Sequence, residues 1–322
     1  MKNQNEKMFF LEVESEDQEK ITKQFPGAQI FEANLSETEI IKNCQDAEIL
    51  CVFIYSQITK KVIENLPHLK FIITRSVGYN HIDLQAAAKK NISVCNVPDY
   101  GCYVIAEHVF AILLSGLRNV AAAENRVEKE HNFDFHGLRG ISLKNKTLGI
   151  IGTGKIGKNV ARIAKCGFLM NVLANDLYPD LEFSKKIGFQ YCNLEKIFTE
   201  SDIISLHCPL LESTKHLINS KTINKMKKGV SIVNTSRGGV ISTPDLIVAI
   251  KSGKVSHAAL DVLEHEKNLE EYQELFSLPE VLITPHIAFY ADESMQKMYN
   301  ESFNSIGRFL KKEKLQHEVF GI

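Results

Sequence analysis

The 322-residue sequence has no long apolar run. Its longest charge-free apolar stretches, such as Ile49 to Thr59 and Val109 to Leu117, fall well short of the roughly 20 residues a bilayer span requires, so no membrane helix is expected. Met1 to Lys7 is polar and lacks the apolar segment of a secretory signal, which makes the cytoplasm the expected location. Neither charge is in excess. Lys plus Arg number 38 against 39 Asp plus Glu, interspersed along the chain, and a nucleic-acid partner would find no electrostatic footprint. There is no CxxC pair: the seven cysteines are odd in number and most lie in apolar runs, which reads as buried free thiols rather than disulfides. There is no HExxH, and His257 and His265 have no partner at metal-ligand spacing, so no metal site is expected. Internal repeats, low-complexity tracts and Pro/Gly/Ser linkers are missing too.

What is present is ordinary for a folded protein: 44% hydrophobic and 24% charged residues, in a chain long enough for two domains. Short β-branched runs alternate with helix-like segments from end to end, the pattern of an α/β protein with open parallel sheets. In the first third the strands are expected at Met8 to Glu12, Glu48 to Tyr55, Lys70 to Thr74 and Ile92 to Asn96. A mostly apolar helix is expected from Val104 through Arg118 toward Glu130, with a domain boundary at its start. Six further strands should complete a second sheet: Thr147 to Ile151, Asn171 to Asn175, Ile203 to His207, Ser231 to Asn234, Ala258 to Val262 and Val281 to Thr284. Asp292 to Lys312 reads as an amphipathic helix.

Gly152-x-Gly154-x-x-Gly157 follows an expected strand directly and opens an expected helix. In that context the first glycine permits a tight turn, the second lets backbone approach a pyrophosphate, and the third lets helix and strand pack closely. Asp176 ends the next strand, 19 residues after Gly157, where a carboxylate can bond both ribose hydroxyls of an adenosine and repel a 2′-phosphate; this implies NAD over NADP. The ends of later strands carry polar groups. Arg237 follows one, Asp261 and Glu266 another, and His286 a third. Alone, Arg237 could be a surface ion pair, His286 a cap, and Glu266 one more charge in the run EHEKNLEE. Together, beyond a dinucleotide fingerprint, they suit hydride transfer to a 2-oxo acid. Arg237 can grip a carboxylate by two hydrogen bonds and polarise the adjacent carbonyl. His286 can donate the proton an alkoxide needs, and Glu266 can orient the imidazole and favour its protonated form.

These residues resemble the D-isomer-specific 2-hydroxyacid dehydrogenases, and within them the D-lactate dehydrogenase-like branch. The resemblance rests on RSVGYNHIDL (75 to 84), VPDYGCYVIAEH (97 to 108), LGIIGTGKIGK (148 to 158), SDIISLHCPL (201 to 210), IVNTSRGGVI (232 to 241), ALDVLEHE (259 to 266) and ITPHIAFY (283 to 290), in the family's order. It implies a homodimer of chains with two Rossmann-like domains and an active site in the cleft between them. The substrate domain would comprise 1–103 and 290–322, and the NAD-binding domain 104–289. The family's catalytic Arg, Glu and His fall on Arg237, Glu266 and His286. Val77 and Gly78 would offer backbone N–H groups to the substrate carboxylate, Tyr100 a hydroxyl, and Phe289 a wall against the substrate's third substituent. The dinucleotide would touch Lys155, Ile156, Asp176, Cys208, Pro209, Thr214, Thr235, Ser236 and Asp261, besides Gly152, Gly154 and Gly157. Two departures accompany the likeness. KCGFLMNV (165 to 172) is one residue longer than usual, with Leu169 near a common glycine, and Cys208 stands where valine is usual.

Expected, then, is NAD-dependent interconversion of pyruvate, or a close short-chain 2-oxo acid, with the D-2-hydroxy acid. The alternatives are a dehydrogenase for a longer acid such as 2-hydroxyisocaproate, a phosphoglycerate-type enzyme, which would want further cations at the site, and a nucleotide-sensing corepressor-like protein.

Overall fold

The protein is described from a computed structural model covering residues 7–320. It divides into two compact units: the described parts of Met1–Tyr100 with Ala291–Ile322, and Gly101–Tyr290. Both are Rossmann-like.

In the first unit a parallel sheet is ordered β2-β1-β3-β4-β5, from β1 (Met8–Phe10), β2 (Gln29–Ile30), β3 (Ile49–Val52), β4 (Phe71–Thr74) and β5 (Ser93–Cys95). The central strands ILCV and FIIT are apolar at nearly every position because helices cover both faces of a parallel sheet, and every residue in them is buried. The chain returns to this unit in the helix Asp292–Leu310, whose inward residues include Met298, Tyr299, Ser302, Ser305 and Ile306, at the three- and four-residue spacing of one helical face.

In the second unit a seven-stranded parallel sheet has the order β12-β11-β10-β9-β6-β7-β8. Its members are β6 (Thr147–Ile151), β7 (Asn171–Asn175), β8 (Gln190–Tyr191), β9 (Ile203–Leu206), β10 (Val230–Asn234), β11 (Val255–Leu260) and β12 (Val281–Ile283). The chain runs outward from β6 in one direction and then, from β9, in the other. The carboxyl end of β6 is therefore the switch point, where loops diverge and leave a crevice.

Several sequence expectations are corrected. The second sheet has seven strands, not six, and the first has five, not four; the additions β2 and β8 are two-residue edge strands, too short to show a period. β11 begins at Val255, three residues before Ala258. The long helix starts at Cys102, ends at Leu117, and resumes as Val120–Glu128 after a 60° bend. Asn119 makes the break with a left-handed backbone (φ 53°), a conformation Asn tolerates because its short polar side chain can bond locally. Cys102–Leu117 is apolar because Val109, Phe110, Ile112 and Leu113 are packed into the second unit's core. No single helix among the described residues is long and apolar enough to cross a membrane. None of the seven cysteines forms a disulfide, but only Cys44, Cys51, Cys95 and Cys208 are buried; Cys166 is exposed.

The long stretch KCGFLMNV also has a physical form. The helix Lys155–Arg162 continues into a π-helical turn, Ile163–Gly167, which holds more residues per turn than an α-helix, and Leu169 follows with φ 54°. β7 then pairs with β6 in unbroken register from Thr147↔Asn171 to Ile151↔Asn175, and Asp176 follows at once.

Candidate active site

At the end of β6 the chain turns sharply at Gly152, whose φ of +93° and whose distance from His207 leave no room for a side chain: a Cβ would lie 2.6 Å from the His207 carbonyl carbon. At Gly157 a Cβ would sit 2.1 Å from Gly152 O, which is why helix and strand can pack so closely. Gly154 differs. A Cβ there meets nothing within 4 Å, so the space over it is open, and Gly154 caps the helix Lys155–Arg162 with no side chain closing the helix end. The first-turn N–H groups of such a helix, beginning at Lys155 and Ile156, suit a phosphate.

Asp176 is held rather than loose. Its Oδ2 accepts from the Thr153 N–H and, at 2.9 Å, from Thr153 Oγ1; its Oδ1 accepts from Tyr178 N at 2.8 Å. Thr153 Oγ1 also meets Tyr191 Oη at 2.8 Å. Burial pushes the Asp176 carboxyl up, but the hydrogen bonds from Tyr178 and Thr153 outweigh it, and the net effect holds it below the usual carboxylate range. A carboxylate has about four acceptor positions, so room remains for ligand hydroxyls.

Beyond β9, Cys208 is buried and its thiol is pushed up to about 11 by burial, so it stays protonated. The loop after it is closed by Thr214, whose hydroxyl donates to Pro209 O at 2.6 Å and accepts from Leu211 N at 2.8 Å. Beyond β10 the loop Thr235–Gly239 hangs on Asn234. Its Nδ2 donates to Arg237 O at 2.9 Å, while its Oδ1 accepts from Ser236 N and Ser236 Oγ at 3.0 and 2.8 Å. Arg237 is exposed, donates from Nη1 to Ser236 O at 2.7 Å, and pairs with no carboxylate among the described residues. At Gly238 a Cβ would be 2.0 Å from the Leu263 carbonyl carbon, so the Arg237 loop lies directly against the loop that carries Glu266.

His286 and Glu266 meet. Nδ1 lies 2.9 Å from Glu266 Oε2, while Nε2 bonds no described residue. With Nδ1–H donating to the carboxylate, Nε2 is the nitrogen available to a substrate. His286 has φ 56°, a strained position for a residue with a Cβ, and it is fixed there by its N–H bond to Asp261 O at 2.9 Å. Asp261 is 1% exposed. Its Oδ1 accepts from Thr284 Oγ1 at 2.5 Å and Ile287 N at 2.9 Å, and its Oδ2 from Ala288 N at 2.9 Å. His108 Nε2 stands 3.5 Å from Asp261 Oδ1 and 3.2 Å from Thr284 Oγ1. Burial pushes the Asp261 carboxyl up, and the bonds from His108, Thr284, Ala288 and Ile287 bring it below its ordinary range. Asp261 thus ties both sides of the His286 loop. Phe289, half-buried, follows in the same loop, its ring 5.9 Å from that of Tyr290.

Comparison with known proteins decides what this set of loops belongs to. The profile described as "D-isomer specific 2-hydroxyacid dehydrogenase, NAD binding domain" matches residues 110–288. The chain belongs to the D-isomer specific 2-hydroxyacid dehydrogenase family. Among its relatives, "2-hydroxyacid dehydrogenase homolog 1" of Schizosaccharomyces pombe is 35% identical over 310 residues, 92% of this chain and 93% of that protein. Among solved structures, apo D-lactate dehydrogenase from Escherichia coli matches with TM-score 0.90 at 33% identity, covering 97% of this chain and 99% of the other. D-lactate dehydrogenase from Aquifex aeolicus, in complex with NAD and lactic acid, matches with TM-score 0.87 at 33% identity, covering 98% and 99%.

This dehydrogenase is therefore an oxidoreductase with an NAD-binding domain, and its own residues fit that cofactor on two counts. The space over Gly154 is open, and Thr235 Oγ1 is buried without a hydrogen-bond partner, an orphan that a ligand polar group would satisfy. The other sequence-derived site residues, Val77, Gly78 and Tyr100, lie in the first unit. Val77 is exposed, and Tyr100 is half-buried against that unit's core. Four residues of the second unit escaped sequence reasoning: Thr153, Asn234, His108 and Thr284. Each bonds a residue whose own chemistry was recognised, and only Asn234 and Thr284, each at the end of an expected strand, had positions that could have flagged them.

Proposed function

We propose that this dehydrogenase interconverts pyruvate, or a close short-chain 2-oxo acid, with the D-2-hydroxy acid. The observation that carries this reading is the His286–Glu266 pair with Nε2 left over, beside a loop presenting an unpaired arginine. NADH supplies the hydride when bound, with the Gly154 turn and the amides of Lys155 and Ile156 on its pyrophosphate, Asp176 on its ribose, and Thr235, Ser236, Pro209, the Cys208 backbone, Thr214 and Asp261 around the remainder. Arg237 holds the substrate carboxylate and draws electron density from the adjacent carbonyl oxygen. His286 Nε2–H donates the proton that this oxygen takes up as it becomes a hydroxyl; in the reverse direction the same nitrogen removes it. Glu266 keeps Nδ1–H engaged, so the ring neither turns nor presents the wrong nitrogen. The N–H groups of Val77 and Gly78 and the Tyr100 hydroxyl are assigned to the substrate carboxylate, as the family resemblance implies.

Tyr100 and Phe289 are assigned to the substrate's third substituent. Two aromatic walls suit a methyl group better than a branched chain, but apolar pockets discriminate weakly, about 1–3 kcal/mol per methylene. The kcat/KM is expected to fall gradually from pyruvate through 2-oxobutyrate to longer acids. Steady-state assays across that series with NADH test the argument, and a much higher value for 2-oxoisocaproate than for pyruvate would refute it.

Cofactor choice is assigned to Asp176. Asp176→Ala removes charge-assisted bonds worth about 1.5–3 kcal/mol, so NADH should bind roughly 10- to 100-fold more weakly while the gap to NADPH narrows. Fluorescence titration with both nucleotides measures this; a wild-type protein that takes NADPH as readily as NADH would contradict it.

The reading includes a homodimer. A groove of about 750 Å³ lined by Leu114, Val120, Ala123 and Val127 lies open beside the bent helix pair, and Phe133 and Phe135 on the following segment are 97% and 78% exposed. Sedimentation velocity should find two-chain particles, and Phe133→Ser with Phe135→Ser should shift them toward single chains; a wild-type monomer would exclude the dimer. Seven cysteines with no disulfide among them suit a reducing compartment, which favours the cytoplasm.

A further inference from the structure

After β4 the first unit turns through Ser76, Val77 and Gly78, and the orientation of each peptide in this turn is set by what holds its carbonyl. No cis peptide bond occurs among the described residues, so in each of these planes the N–H points opposite to the C=O of the preceding residue. The plane that carries the Val77 N–H is held at Ser76 O, which accepts from Val97 N at 3.0 Å. The plane that carries the Gly78 N–H is held at Val77 O, which accepts from the Asn96 side-chain Nδ2 at 2.7 Å. On the far side, Gly78 O accepts from Ser76 Oγ at 2.6 Å. Neither the Val77 N–H nor the Gly78 N–H donates to any described residue. Two adjacent donors are thus left unbonded while the carbonyls behind them are fixed.

Asn96 is itself well placed to hold a carbonyl. It follows β5 directly, is 7% exposed, and its own N–H donates to His317 O at 3.1 Å. Ser76 is backed in turn by Thr74 Oγ1 at 2.7 Å, and Thr74 by His81 Nε2 at 3.3 Å. A buried amide whose one side-chain hydrogen bond among the described residues goes to a single loop carbonyl has little reason to be there except to orient that peptide.

We propose that Asn96 is a positioning residue for substrate binding: by holding the Val77 carbonyl it aims the Gly78 N–H at the substrate carboxylate. This rests on the reading of the chain as a 2-oxo acid reductase whose carboxylate docks on Val77 and Gly78. Without the Asn96 donor the Val77–Gly78 plane is free to rotate, and a donor that must be ordered at each binding event contributes less than one already in place. The loss falls on ground state and transition state alike, because the carboxylate is the same in both, so it appears in KM rather than kcat.

The test uses the full-length enzyme with pyruvate as substrate and oxamate as a carboxylate-bearing inhibitor. Asn96→Ala should raise the pyruvate KM and the oxamate Ki about tenfold, with kcat within about twofold and NADH affinity by fluorescence unchanged. Asn96→Asp, which keeps the volume and loses the donor, should do the same and carries the test if the alanine variant does not fold. Unchanged KM and Ki in a folded variant overturn the proposal while leaving the dehydrogenase reading intact. A parallel loss of kcat, NADH affinity and melting temperature marks a general structural role and also overturns it. A wild-type enzyme inactive with every 2-oxo acid and blind to oxamate removes the functional reading, and this proposal with it.

Discussion

His286→Ala is expected to lower kcat for pyruvate reduction by about 10²- to 10⁴-fold, the usual loss when a positioned general acid is removed, while NADH binds as tightly as before. The split follows from where the side chain's bonds go. Nδ1 is engaged by Glu266 at 2.9 Å, and no described residue uses Nε2, so deleting the ring removes a proton donor without breaking any bond that shapes the cofactor's turn. The backbone strain at His286 (φ 56°) is borne by the Asp261 carbonyl through the main chain, and alanine keeps that N–H. The loop should therefore stay in place, and the loss should be in chemistry rather than in folding. Stopped-flow turnover and fluorescence titration separate the two. A variant retaining more than half of wild-type kcat would take His286 out of the proton transfer.

Arg237→Lys is expected to reduce kcat/KM by about 10²- to 10³-fold, the scale of losing one well-aimed donor to a developing oxyanion. The substitution keeps the charge and discards the planar fork, so it isolates geometry from electrostatics. Arg237 is exposed, bonded only to Ser236 O and paired with no acid among the described residues, so structural stability should be little affected. Its loop is held from behind by Asn234 and pressed against Leu263 through Gly238, which means the cation's position is set by backbone and survives the change. Activity within threefold of wild type would show that a point charge suffices and that carboxylate docking lies elsewhere.

How much of this was legible before the structure depended on the kind of constraint. Gly152 and Gly157 could be read because each answers a steric demand that no other residue meets, and the strand, turn, helix and acid around them come in a fixed order. Arg237, Glu266 and His286 could be read because parallel strands deliver their following loops to one edge. The two-residue strands β2 and β8 could not be read, since alternation needs more residues than they have. Nor could the break at Asn119, where a single left-handed residue outweighs a continuous apolar pattern on either side. The supports of the site were invisible for another reason. Asn234, Thr153, Thr284 and Asn96 act by bonding loop backbones or neighbouring side chains, and such bonds leave no periodicity and no spacing rule in the sequence. The π-helical turn that overlaps KCGFLMNV, after which β7 pairs with β6 in unbroken register, was likewise a matter of packing.

The most direct measurement of the whole reading is the handedness of the product formed from pyruvate and NADH, resolved on a chiral column. On the proposed reading, holding the carboxylate at Arg237 and the carbonyl oxygen at His286 leaves one face of the carbonyl for hydride, because exchanging the substituents would drive the methyl group toward the guanidinium. Nearly pure D-lactate is the expected product. Mainly L-lactate, or no turnover of pyruvate or any other 2-oxo acid, would contradict the assignment of these residues.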